Sequence, residues 1–107
     1  VIGRRPKGLN TFWFPIYIMV SIQRSTRKDK RFMAVFDDGT KTHFGLKGAF
    51  TFADGAPESK RNAYIARHRV NEDWTDPTKA GTLSRFILWE KKGLNDAIDN
   101  FKKKFGV

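Results

Sequence analysis

Short apolar runs bounded by turn residues mark the first half of the chain, and helical spacing marks the second. Ile16 to Arg24 reads as a strand, because Tyr17, Ile18 and Val20 suit a pleated surface. Arg27-Lys28-Asp29-Lys30 is polar and turn-like. Phe32 to Phe36 is apolar on both faces, which predicts a central strand. Asp38-Gly39 is the strongest hairpin signal and predicts a type I′ turn, with positive φ at both central residues. Lys41 to Leu46 completes a three-stranded antiparallel meander. Gly45, Gly48 and Gly55 then punctuate a loop that carries Phe50 and Phe52.

Three helices should follow. Pro57 suits a first helical turn, and the first helix runs to about Val70. Its apolar positions are sparse (Ala63 or Tyr64, Ile65, His68), so it is mostly solvated or faces a partner. Asp76 is placed to cap the second helix, with Pro77 in its first turn and Glu90 near its end. Leu83, Phe86 and Ile87 share a face of this helix with Glu90, and Leu88 and Trp89 widen the apolar arc, so the helix should be central. Gly93 separates it from the third. There Leu94, Ala97, Ile98, Phe101 and Phe105 fall at i, i+3, i+4, i+7 and i+11, and Lys102, Lys103 and Lys104 sit where cations suit the helix dipole. The expected fold class is α+β: a three-stranded antiparallel β-meander followed by three α-helices, the second and third packed on the sheet.

Residues 1–15 break this pattern. Arg4, Arg5 and Lys7 stand among glycines and a proline, and Phe12, Trp13 and Phe14 follow. The segment reads as an extended basic and aromatic arm ahead of a single domain at 16–107. Its rings either anchor the arm to a partner or close the domain's own core. The apolar run from Phe12 to Ile22 is about half the ~20 residues that a membrane-spanning helix needs, and Pro15 interrupts it.

Composition narrows the partners. A chain of 107 residues has room for one core, and ten Phe, three Trp and two Tyr give it large buried area per residue. The absence of cysteine excludes disulfides and thiolate chemistry. Twenty-one Lys and Arg against eleven Asp and Glu leave a net charge of +10. That surplus favours an acidic protein surface or a polyanion, with nucleic acid and an anionic membrane as candidates. Arg27, Lys28, Lys30, Arg61 and Arg69, together with the arm residues, are the expected partner-binding set.

The linear pattern holds little catalytic chemistry. Ser84 and His68 occur, but no nucleophile-elbow sequence frames the serine. His43 and His68 are the only histidines, without metal-ligand spacing, and no phosphate-cradling glycine motif is present. No catalytic residue, metal or cofactor is expected. Tyr64 to Trp89 instead interleaves rings with charges. Arg67 and Arg85 face Glu72, Asp73 and Asp76 as ion-pair candidates, and Trp74 and Trp89 offer rings to the guanidinium groups. With His68, these residues predict a polar–aromatic clasp between helices.

The same segments resemble a known family. Ser25-Thr26-Arg27-Lys28-Asp29-Lys30-Arg31-Phe32 is similar to its SxRKDKKY turn, and Thr42-His43-Phe44-Gly45 to its HFG strand end. Tyr64-Ile65-Ala66-Arg67-His68 with Glu72-Asp73-Trp74 resembles its YIxRHxxREdW block. Ala80-Gly81, Ser84-Arg85 and Leu88-Trp89 resemble TAGxxSRxxLW, and Leu94, Ile98 and Phe105 match its closing helix. The likeness spans residues 16–107. The family comprises small basic proteins of large double-stranded DNA viruses of algae and amoebae. Two departures stand out: 49–56 lacks the family's acidic and histidine stretch, and Lys92-Gly93-Leu94 replaces a Pro-Thr-Leu start. The arm has no counterpart.

The resemblance implies a virion component, with a minor capsid role as the leading expectation. Such a protein would be non-enzymatic and would sit on the inner side of the shell. It would bridge the major capsid protein and other minor capsid proteins, with the inner viral membrane surface nearby. The alternative expectation is a basic nucleic-acid-binding protein of viral replication, packaging or chromatin.

Overall fold

The computed structural model describes residues 19–107. The expected arm, including Arg4, Arg5, Lys7, Phe12, Trp13 and Phe14, and the first residues of the strand expected from Ile16 lie outside the described residues. Three strands form one antiparallel sheet in the order β1 (Val20–Arg24), β2 (Lys30–Phe36), β3 (Lys41–Leu46). A single 3₁₀ turn (Phe52–Asp54) and α1 (Glu58–His68) follow. The second helical rod joins α2 (Ala80–Leu83) to a π turn (Ser84–Leu88), and α3 (Leu94–Phe105) closes the domain. The α+β expectation therefore holds, with the meander central on β2.

The register explains the core. Val20 pairs with Phe36, Ile22 with Ala34, and Phe32 with Phe44. Alternation along each strand therefore puts these six side chains on one face. Leu83, Ile87 and Leu88 of the second rod and Phe101 of α3 pack onto Val20, Ala34, Phe36 and Phe44. Ile22, Phe32, Phe86, Leu94, Ile98 and Phe105 pack around this centre. Each large side chain buried this way stabilises the fold by roughly 1.5–3 kcal/mol. Gly106 ends α3 in the left-handed region, and its N–H bonds the Lys102 carbonyl at 2.8 Å.

Four local expectations are corrected. The β2–β3 connection is not a type I′ turn, because only Gly39 has positive φ (96°). The Gly39 N–H bonds the Phe36 carbonyl, and the Phe36 N–H bonds the Thr40 carbonyl, both at 2.9 Å. One glycine past a tight turn thus supplies the reversal, in a three-residue loop. β2 begins at Lys30 rather than Phe32, since the ladder extends to a Lys30–Leu46 pair. α1 ends at His68 rather than Val70, where the Asn71 N–H turns back to the His68 carbonyl at 3.2 Å. Val70 is left exposed.

The second helix starts at Ala80 rather than Pro77, and Asp76 does not cap it. Asp76 Oδ1 accepts from the Thr78 N–H (2.9 Å) and from the Thr78 hydroxyl (2.7 Å). Asp73 does the same for Thr75, at 3.1 and 2.7 Å. Both aspartates therefore hold turns rather than cap a helix. The Thr42 hydroxyl donates to the Thr78 carbonyl at 2.7 Å and ties these turns to β3. The rod also changes pitch: the Trp89 N–H bonds the Ser84 carbonyl at 3.1 Å, five residues back. That π turn re-aims the residues after it, and such turns are frequent at functional sites.

Candidate functional site

A cleft of about 410 Å³ opens between the end of the sheet, α1 and the second rod. Lys30 of β2 and Phe44, Gly45 and Leu46 of β3 form one wall, with Ala49 and Thr51 from the following loop. Tyr64, Arg67 and His68 come from α1, and Glu72 from the segment after it. The second rod contributes Ala80, Gly81, Ser84 and Leu88, with Trp89 just beyond. The volume lies within the range of small-molecule sites, ~300–1,000 Å³.

Two glycines make the cleft. Gly45 has a φ of 82°, and a Cβ there would sit 2.9 Å from Leu88 Cδ1, so the glycine lets the second rod close on β3. At Gly81 a Cβ would lie 2.6 Å from Glu72 Oε1. The bare backbone of α2 therefore makes room for the Glu72 carboxylate.

That carboxylate is the hub of the polar side. Its Oε1 accepts from Trp74 Nε1 at 2.7 Å, and its Oε2 lies 2.8 Å from His68 Nδ1. With a carboxylate as partner, Nδ1 carries the ring proton and Nε2 is left as acceptor in the neutral imidazole. The Tyr64 ring lies between His68 (centroids 4.1 Å apart, 23°) and Trp89 (4.7 Å, 9°). Burial, then the Glu72 charge, push the Tyr64 hydroxyl up to about 12, although Arg85, Ser84 and Arg67 act the other way. The phenol is therefore a hydrogen-bond donor at neutral pH.

A second network lies behind the cleft. Arg85 donates to Glu90 Oε1 at 2.6 Å, and Arg61 donates to the same oxygen at 3.1 Å. The Arg85 guanidinium lies over Trp74 (5.2 Å) and Phe86 (4.7 Å). Burial pushes the Glu90 carboxyl up, but the Arg85 hydrogen bond and the charges of Arg85 and Arg61 outweigh it. The group titrates below its usual range.

The partners differ from those the spacing suggests. Glu72 takes His68 and Trp74, while Asp73 and Asp76 take their own threonines, and Arg85 turns to Glu90. Arg67 is exposed and has no ion pair among the described residues. His68, Glu72 and Trp89 line the cleft, with Trp74 bonded to Glu72. Within the expected partner-binding set, Arg61 is engaged internally with Glu90, and Lys30 lines the cleft. Arg27, Lys28 and Arg69 are exposed, with Arg27 4.0 Å from Asp29.

Ser84, His68 and Glu72 share the cleft, yet among the described residues no hydrogen bond joins Ser84 to His68. Both Glu72 oxygens are occupied in orienting neighbours. Also among the described residues, no group of three or more His, Asp or Glu side chains could hold a metal ion. Spacing alone does not select Gly45, Gly81 and Ser84 as cleft residues. The hidden signal is tertiary: a close approach of backbone to a side chain from another element.

The cleft draws on stretches shared with known proteins. An uncharacterized protein of Acanthamoeba polyphaga mimivirus, L851, is 39% identical over 80 aligned residues, covering 65% of this chain and 80% of the viral protein. The chain belongs to the same family as this large-DNA-virus protein. The model of a family of unknown function, DUF5754, matches residues 20–68. That stretch holds the sheet wall of the cleft and the Tyr64, Arg67 and His68 side of α1. No solved structure matches the chain.

Proposed function

We propose that this protein is a non-enzymatic structural component of a large-DNA-virus particle. In this reading it is a minor capsid protein on the inner side of the shell, bridging the major capsid protein and other minor capsid proteins. The observation that carries the reading is α1. This helix has eleven residues and buries only Tyr64. A helix so polar around its girth suits a bridging position between bodies better than a core position. Exposed Leu46, Phe50 and Val70 add apolar contact area, and viral kinship supplies the setting. Mass spectrometry of purified virions, followed by locating the density in the particle, tests it. Absence of the protein from virions sinks the reading.

The surface charge favours a second reading, contact with nucleic acid during replication, packaging or chromatin organisation. Among the described residues no lysine takes part in a salt bridge. Lys28 stands exposed in the β1–β2 turn, and Lys103 and Lys104 are exposed at the end of α3. Such contacts bind phosphates without reading sequence, and their affinity falls steeply with salt. A filter-binding titration across salt concentrations decides this: negligible binding at low salt removes the nucleic-acid reading. An anionic inner-membrane surface would have to be met peripherally by the described part, which contains no helix long and apolar enough to cross a membrane.

A further inference from the structure

We propose that the cleft between β3, α1 and the π turn binds a small phosphate-bearing ligand of nucleoside-monophosphate size, gripped by Lys30 and Arg67. The inference goes beyond a bridging role and stands or falls separately from it. Its first support is charge. Lys30 and Arg67 reach the cleft from different elements, and neither has an ion-pair partner among the described residues. Glu72, the cleft's one carboxylate, is already turned to His68 and Trp74. Two cations without acceptors match a phosphate monoester, which carries close to two negative charges and three strong acceptor oxygens, better than a single carboxylate.

The second support is the donor set. Tyr64 and Ser84 bring hydroxyl groups to the same cleft, and Tyr64 keeps its proton at neutral pH. Arg offers a planar fork and Lys a point charge, a combination suited to phosphate. The third support is backbone construction. Ser84 and Trp89, joined by the hydrogen bond of the π turn, both line the cleft, and Gly45 and Gly81 hold its walls at separations a Cβ would not allow. Departures from regular geometry at one place are characteristic of a built site rather than of packing alone. The volume of about 410 Å³ accommodates one nucleotide and not a folded partner.

Isothermal titration calorimetry of the full chain tests this with three probes: adenosine monophosphate, inorganic phosphate and adenosine. Saturable one-site binding of adenosine monophosphate, weaker binding of phosphate and none of adenosine is the expected result. Arg67→Ala and Lys30→Met should each weaken binding roughly tenfold or more, the loss of one charge-assisted bond. Lys41→Ala, at the exposed start of β3 and outside the cleft lining, should leave it unchanged. Arg67 is exposed, so its variant should keep the wild-type circular dichroism spectrum. No saturable binding of adenosine monophosphate or phosphate at millimolar concentration overturns the proposal. An equal effect of Lys41→Ala also overturns it, since that marks diffuse polyanion attraction.

Discussion

The second helical rod holds the protein together differently on its two sides. Toward the sheet and α3, Leu83 and Ile87 share one apolar, non-directional cluster with Phe36, Phe44 and Phe101. Toward α1, the neighbourhood of Ser84 and Trp89 is directional. Glu72 is held by His68 and Trp74, and the Tyr64 ring lies between two others. The first side tolerates exchanges that conserve volume. The second depends on particular donors and on glycines at 45 and 81. The core decides whether the chain folds. The cleft decides how α1 is aimed on it.

Phe101→Ala should have the largest effect, because Phe101 is fully buried where α3 meets the rest of the core. A loss of about 3–5 kcal/mol is expected in urea unfolding. A smaller loss than that of any cleft variant would invert the ranking of the two sides. Glu72→Ala comes next. It leaves Trp74 Nε1 and His68 Nδ1 without their acceptor, and should lower stability by about 1–3 kcal/mol with a change in tryptophan emission.

Gly81→Ala sharpens the comparison through its sign. In the wild-type background the new Cβ meets Glu72 Oε1, so the substitution should destabilise by about 1–3 kcal/mol. In the Glu72→Ala background that obstacle is gone. Alanine should then stabilise α2 by up to about 1 kcal/mol through helix propensity. Paired unfolding curves report the coupling, and the same sign in both backgrounds would show that the carboxylate is not the reason for the glycine.

The smallest effect should come from the Arg31–Asp54 pair, which ties β2 to the 3₁₀ turn. Arg31→Ala should lower stability by about 0.2–1 kcal/mol, as for a partly exposed pair. Hydrogen bonds from Arg31 hold the Asp54 carboxyl well below its ordinary value of 3.8, against the opposing effect of burial, with Thr51 assisting. A carboxyl depressed by folding contributes its stability above the unfolded value and loses it as pH falls through the folded one. The gap between wild type and Arg31→Ala should therefore be constant above about pH 5 and narrow below about pH 4. Thermal unfolding across that range checks it.

Much of the fold is legible along the chain. The run at Phe32–Phe36 reads as a central strand because it is apolar on both faces, and it pairs with Lys41–Leu46 across the Asp38-Gly39 turn. The α3 pattern from Leu94 to Phe105 matches its helix because both ends carry glycine and one stripe is apolar. The Asp76–Glu90 stretch is less legible. Asp76-Pro77 has the form of a helix start, but the aspartate also suits a local turn with Thr78, and propensity does not choose between them. The π turn is invisible to a 3.6-residue period, since one widened turn shifts only the positions after it. Residues of the candidate site were recognisable as a cluster of rings and charges, but their pairing was not. Arg85 finds Glu90 five residues on, while Arg67 finds no carboxylate among the described residues.

Fold class, the central strand, the third helix, net charge and viral kinship all follow from the residues in order. Each of these depends on local spacing, on composition or on residue identity in order. That Tyr64, Arg67, His68, Glu72 and Ser84 meet Lys30 across one cleft, and that Gly45 and Gly81 let its walls approach this closely, is a property of the folded chain. Those facts depend on separations of a few ångströms between elements distant in the chain, and no periodicity encodes them.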